Sequence, residues 1–308
     1  MKFGLMCGAS MHGITVDSIV ALAKRAEGAG FDSVWMAHIR SIDAIAALGV
    51  AGRETQHIEL GTAVTPTYPR HPMAMAQQAL TTAQLSGNRF VLGIGLSHKL
   101  VVEGMLGLSY AQPARHMREY LKILRPLLRG EVVNFDGEEF RVANLQLDVP
   151  GVRDVPVVVA ALGEHMLRLS GRLADGTSTW MTGPRTIAEH IVRHLLPAAK
   201  AAGRPAPRVI GGYPIVLTNA VDEARAGIAK NLEIYGQLPS YRAMLDREGY
   251  RGPADAALVG DEATLRREIA RIRDSGVTDF NAAIAETDAG AFARTFEFLA
   301  AVKSEFAG

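Results

Sequence analysis

Short apolar runs alternate with stretches of helical periodicity along nearly the whole chain, and the two periods together predict a repeated strand–helix unit. Phe3 to Cys7 reads as a strand. After it, Ile19, Leu22, Ala23 and Ala26 recur at i, i+3, i+4 and i+7 in a helix that opens near Thr15 and ends at Gly28 or Gly30. Phe31 to Met36 is the next strand, followed by a helix from about Ser41 to Arg53, a strand from Ile58, and a helix from about Pro72 to Ser86. Phe90 to Ile94 is a fourth strand, and Arg115 to Leu128 a fourth helix with Met117, Leu121, Leu124 and Leu128 on one face. Pro156 to Ala161, Thr177 to Met181, Val209 to Thr218 and Thr278 to Ala285 supply four more strands with helices between them. Eight such units enforce parallel neighbours and close most economically into a (β/α)8 TIM barrel, an α/β fold with its site at the strands' C-terminal ends.

Two segments fall outside the repeat. Val132 to Val142 alternates apolar and polar residues around Asp136-Gly137, a tight-turn composition, and predicts a β-hairpin inserted after the fourth helix. The stretch from about Gln237 to Pro253 has weak periodicity and carries Tyr241, Arg242, Tyr250 and Arg251, which suits either a lid over the barrel mouth or a helical excursion on the surface. The expected organisation is one barrel domain over residues 1–308, with insertions at about 130–150 and 237–253.

At 308 residues the chain has the length of one large barrel or of two ordinary domains. A net charge of +1 without any strongly basic run argues against nucleic acid or an anionic membrane as partner and leaves small molecules. Cys7 is the only cysteine, so no intrachain disulfide can form and a reducing cytoplasm is the expected compartment. The N-terminal apolar run is too short for a secretory signal, and no segment reaches the ~18 apolar residues of a membrane span.

Chemistry is expected where the strands end. The third strand stops abruptly in I-E-L-G-T-A-V-T-P-T-Y-P-R-H-P, Ile58 to Pro72, where Gly61 permits unusual backbone and three prolines forbid the ladder from continuing. Strand two ends at Ala37-His38 and strand four at Gly95-Leu96-Ser97-His98, so two histidines are placed at one mouth. Such a pair suits a reaction that adds hydride and a proton to a polarised double bond, although either histidine could equally be a satisfied rim residue. At Ala161-Leu162-Gly163 a strand opens into a helix, about Glu164 to Leu173, whose free N–H groups can receive phosphate. Thr179-Trp180 ends the neighbouring strand with a hydroxyl and a flat apolar surface. Tyr68, Met105, Trp180, Tyr213 and Tyr241 are candidates for an apolar pocket lining.

Several alternatives fail. Gly93-Ile94-Gly95 lacks the third glycine and the acidic ribose clamp of a dinucleotide site. His190 and His194 are four apart, but Ile191 stands where a zinc protease carries its glutamate, and no metal is expected. Ser97 and Ser170 lack a nucleophile elbow. Arg115, Arg118, Lys122, Arg125 and Arg129 read as the solvated face of the fourth helix.

Taken together, F-D-S-V-W-M-A-H at strand two, L-G-T-A-V-T-P-T-Y-P-R-H-P at strand three, R-F-V-L-G-I-G-L-S-H at strand four, the D-G hairpin, A-A-L-G, L-A-D-G-T and G-V-T-D-F resemble the bacterial-luciferase-like superfamily. Within it the chain looks most like the branch that uses the 5-deazaflavin coenzyme F420. The resemblance implies a (β/α)8 barrel, usually a homodimer, that binds the deazaflavin at the C-terminal ends of its strands. It further implies a non-prolyl cis peptide at Ala63-Val64 bulging against the back of the ring, with Thr65 as a polar contact beside it. Ala161, Leu162, Gly163, Thr179 and Trp180 match the family's phosphate and ribityl segment, and His38 matches a histidine at the reacting centre.

Two positions depart from the relatives. Ala37 stands where an aspartate commonly precedes that histidine, and Ser97-His98 replace the glutamate that sugar-phosphate dehydrogenases of the family carry after the strand-four glycines. The expected activity is therefore an oxidoreductase that passes hydride from reduced F420 to a C=C, C=N or C=O acceptor, with His38 or His98 polarising or protonating it. An FMN-dependent monooxygenase using oxygen and a ligand-binding barrel without redox chemistry are the rival readings.

Overall fold

The strands are β1 (Lys2–Cys7), β2 (Ser33–Met36), β3 (Glu59–Thr62), β4 (Thr65–Pro66), β5 (Phe90–Gly95), β6 (Val133–Asp136), β7 (Arg141–Leu145), β8 (Val157–Ala160), β9 (Gly176–Trp180), β10 (Arg208–Leu217), β11 (Leu258–Gly260) and β12 (Asp279–Ile284). They are seen in a computed structural model that describes residues 1–8 and 13–306. Eight of them, β1, β2, β3, β5, β8, β9, β10 and β12, pair in parallel in that order, and β12 returns to β1 to close the barrel. These are the eight strands that the apolar runs predict. The short strand β11 extends the sheet at the upper end of β10.

Around the barrel lie α1 (Val16–Gly28), α2 (Ala44–Glu54), α3 (Pro72–Leu85), α4 (Lys99–Gly104), α5 (Pro113–Leu128), α6 (Glu164–Leu173), α7 (Pro184–Thr186), α8 (Arg193–Ala201), α9 (Val221–Gln237), α10 (Pro239–Glu248), α11 (Glu262–Asp274) and α12 (Ala291–Val302). A π-helical turn, Ile187–Val192, joins α7 to α8. Local chemistry sets the starts: Thr15 and Ser18 form a reciprocal capping box on α1, and Asp43 and Asp261 cap α2 and α11. No described helix is long and apolar enough to cross a membrane. The short α4 has no counterpart in the periodicity, and the segment of about 237–253 contains a regular helix, α10.

The inserted hairpin pairs β6 with β7, but its turn is not the two-residue type expected at Asp136-Gly137. Asp136 pairs with Arg141, leaving a four-residue tip. The buried Glu119 carboxylate of α5 accepts hydrogen bonds from the backbone N–H groups of Glu138, Glu139 and Phe140, so the tip is shaped by a side chain from another element. Arg125 also differs from expectation. It is buried, and its guanidinium donates to Asp175, Asp154 and the Val155 carbonyl, tying α5 to the edges of β8 and β9.

Inside the barrel, Trp35, Val91, Val158 and Ile210 pack into one apolar layer. Gly61 makes room for it, because a β-carbon there would lie 2.3 Å from the Trp35 ring. Below that layer, at the strands' N-terminal ends, Arg208 bonds both oxygens of Glu59 at 2.6 and 3.1 Å and reaches Asp279 at 2.5 Å, with its guanidinium carbon 5.7 Å from the Trp35 ring centre. One cation thus links β10 to β3 and β12 across the closed end. Removing it strands the buried Asp279 carboxylate and the partly buried Glu59 carboxylate. Arg208→Ala is expected to lower unfolding stability by about 3 kcal/mol, measured by urea denaturation; a loss below about 0.5 kcal/mol, the range of ordinary surface substitutions, would assign the network no part in stability.

Candidate active site at the barrel mouth

The break in the third strand is a one-residue bulge. Gly61 pairs with Val91 and Thr65 with Ile94, so Thr62, Ala63 and Val64 face only Leu92 and Gly93 across the gap. The Thr62 hydroxyl fills the missing ladder, donating to the Gly93 carbonyl at 2.7 Å and accepting from the Gly93 N–H at 2.9 Å. Only glycine fits opposite, since a β-carbon on Gly93 would overlap the Thr62 carbonyl oxygen. Beyond Thr62 the Ala63–Val64 peptide is cis, as the resemblance implies.

The bulge faces a cavity of about 250 Å³ at the C-terminal ends of the strands. Ala63, Val64, Leu162, Gly163, Thr179, Trp180 and His98 of the expected residues are brought together in its wall. Gly95 leaves Val64 its place, because a β-carbon there would sit 2.7 Å from a Val64 methyl. Tyr110 and Asn281, which no sequence motif singles out, join the wall together with the pocket candidate Tyr241. The 19 described residues of the lining include no Asp, Glu, Lys or Arg, so no ionised carboxylate, ammonium or guanidinium among them faces the cavity.

Three expected residues lie elsewhere. Ala161 is buried outside the lining, and Thr65 is fully buried with its hydroxyl unpartnered. His38 is also outside it. Its Nδ1 accepts from the Ala44 N–H at the start of α2, and its Nε2 stands 3.2 Å from Arg70, which in turn bonds Asp43 at 2.7 Å. Burial and the Arg70 charge hold the His38 imidazole below its ordinary pKa, against the pull of Asp43.

His98 is held differently. Ser97 adopts φ = 60°, a left-handed turn that redirects the chain at the end of β5, and His98 follows at the cavity rim. Among the described residues no hydrogen bond fixes its ring, which lies 5.8 Å from the ring of Tyr241. Burial alone lowers its pKa, so the neutral imidazole prevails at neutral pH.

Where β8 opens into α6, Gly163 stands at the helix entrance with open space about its α-carbon. The Glu164 carboxylate that follows is engaged by Arg168 at 2.6 Å. His190, in the π-helical turn, bonds the Leu162 carbonyl at 2.7 Å and so fixes this corner from outside the barrel. The Thr179 hydroxyl is turned towards the Ile210 carbonyl at 3.4 Å. Of the apolar candidates, Trp180 and Tyr241 line the cavity; Tyr213 is fully buried with its hydroxyl on the Thr182 carbonyl, Met105 is exposed, and Tyr68 stacks on His116.

The family model for luciferase-like monooxygenases matches residues 1–289. The chain belongs to that family. This luciferase-like barrel is 30% identical over 263 residues to the 5,10-methylenetetrahydromethanopterin reductase of Methanolobus tindarius, covering 85% of this chain and 79% of the relative. Among solved structures, the coenzyme F420-dependent tetrahydromethanopterin reductase of Methanopyrus kandleri superposes with a TM-score of 0.84 at 21% identity, covering 99% of both chains. A monooxygenase of Streptomyces bottropensis superposes at 0.79 with 19% identity over the full length of both, so the fold is common to reductases and oxygenases.

In this luciferase-like barrel the mouth depends on Thr62 bonding a buried backbone. Thr62→Val keeps the shape and removes both bonds, leaving the Gly93 N–H and C=O unpaired. A stability loss of about 1–3 kcal/mol is expected in denaturant unfolding; a variant as stable as the parent would show that Gly93 finds other partners.

Proposed function

We propose that this chain is an F420-dependent oxidoreductase working in the reductive direction, passing hydride to a C=C, C=N or C=O acceptor. The observation that carries the proposal is the uncharged cavity between the Ala63–Val64 bulge and the unbonded His98. The F420-named relatives support it. The residues present suit a flat polycyclic ring with a phosphorylated side arm: a wall bulged at Val64, the indole of Trp180, and an open glycine at the entrance of α6. When bound, the reduced deazaflavin supplies the hydride.

The chain's own residues do the rest. Ala63 and Val64 would back the ring, and the backbone N–H groups that begin α6 would receive the phosphate side. Trp180 covers the cavity on the strand-β9 side. His98 hydrogen-bonds the acceptor atom that gains negative charge and, as imidazolium, hands it a proton; the ring nitrogen is then reprotonated from solvent. His38 meets Arg70, which also bonds Asp43. The same reading takes the chain as a homodimer of single-domain barrels in the cytoplasm.

A titration of the purified protein with each oxidised cofactor tests the reading directly. F420 is expected to saturate one site per chain and FMN to bind far more weakly; saturation by FMN alone reassigns the protein to the oxygenases. His98→Gln is expected to cut kcat by about 100-fold or more while changing the F420 Kd less than about threefold, and equal loss of both would make His98 a structural residue. Because its pKa lies below 6.5, the imidazolium fraction grows as pH falls, so kcat should rise from pH 8 towards pH 6 in the parent and stay flat in His98→Gln.

A further inference from the structure

Two polar groups at the cavity are left over by the chemistry above. Gly212 of β10 pairs with Trp180 of β9 on one side and with Asn281 of β12 on the other, so these three residues form one layer of the barrel. Gly212 places no side chain between its neighbours, and a β-carbon there would lie 2.9 Å from the Trp180 ring. Asn281 is 1% exposed, and its Oδ1 accepts no hydrogen bond. The Trp180 indole Nε1 likewise has no acceptor. Both residues belong to the cavity lining.

Other polar side chains inside the barrel are paired, the Thr65 hydroxyl outside the cavity lining excepted. The Trp35 indole donates to Ser33, the Thr62 hydroxyl bridges Gly93, and the Thr177 hydroxyl donates to the Val159 carbonyl. An unpaired carboxamide oxygen and an unpaired indole N–H in the wall of one cavity are therefore unusual, and they sit where a ligand is expected. Buried polar groups without protein partners are matched by what binds there. A carboxamide offers one acceptor and one donor side by side, and the indole adds a second donor. The complement is a flat edge in which one N–H lies between two carbonyls.

We propose that Asn281 and Trp180 recognise such an imide edge on the bound ring. The Asn281 oxygen accepts from the ring N–H, its amide nitrogen donates to one flanking carbonyl, and the Trp180 indole donates to the other. This rests on the deazaflavin reading, because the pyrimidinedione end of that ring carries this edge. It adds Asn281, which no sequence motif marks, to the residues that hold the ring, and it orients the ring with its imide end towards β9 and β12.

The test pairs ligand and protein changes. Oxidised F420 and its N3-methylated analogue are titrated, by fluorescence, into the parent, Asn281→Leu, Asn281→Asp and Trp180→Phe. The parent is expected to prefer F420 by tenfold or more. Asn281→Leu should weaken F420 at least tenfold and shrink the preference below twofold, while Trp180→Phe weakens both ligands alike. Ligand-free Asn281→Leu should melt no lower than the parent, since it removes an unpaired buried amide; if it melts lower, the isosteric Asn281→Asp, which keeps an acceptor but loses the donor, carries the test with the same tenfold loss expected. A parent without preference, a full preference retained in Asn281→Leu, or an F420 affinity unchanged in Asn281→Asp overturns this inference alone. A parent that binds no F420 overturns the cofactor reading and this inference with it.

Discussion

One hydroxyl holds the mouth of this barrel in shape. Where β3 gains a residue over β5, the parallel ladder loses its register, and a buried N–H and C=O of Gly93 would be left without partners. Thr62 supplies both from a single oxygen, and Gly93 is the residue small enough to accept the approach. An unpaired buried backbone group costs on the order of 1–3 kcal/mol, so the bulge is tolerated because that oxygen is there. Everything presented towards the cavity by Ala63 and Val64 follows from this local repair.

The two ends of the barrel are built on opposite electrostatic principles. At the strands' N-terminal ends Arg208, Glu59 and Asp279 concentrate charge in a hydrogen-bonded cluster, and on the flank Arg125 and Arg204 share Asp175. At the other end the cavity lining is free of Asp, Glu, Lys and Arg. Charge that locks strands together is thus kept away from the place where a change in charge would have to be guided by a few aimed dipoles. Such an arrangement suits hydride transfer, in which stray ions would compete with the intended partner.

Much of this was readable from residues alone. The alternation of short apolar runs with stretches of period 3.6 marks the eight strands, because buried parallel strands are continuous apolar runs and their helices have one wet face. The strand ends point to the mouth because every parallel strand delivers its C-terminus there, which is why Ala63, Val64, Leu162, Gly163, Thr179, Trp180 and His98 meet. What stayed hidden depends on closure. Asn281 is a polar residue in an otherwise ordinary strand until β12 is seen beside β10, and Arg125 looks like one more basic residue of α5 until Asp175 arrives from the edge of β9. His38 and His98 look alike in the sequence; the difference is that one ring receives the Ala44 N–H that opens α2 and the other, among the described residues, receives none.

A larger hollow, of about 780 Å³, opens beside the first over the ends of β1, β10 and β12, and Met6 and Trp180 stand in the walls of both. Two side chains therefore act as a shared partition between neighbouring rooms. Any turn of the indole or the thioether that enlarges one room therefore narrows the other.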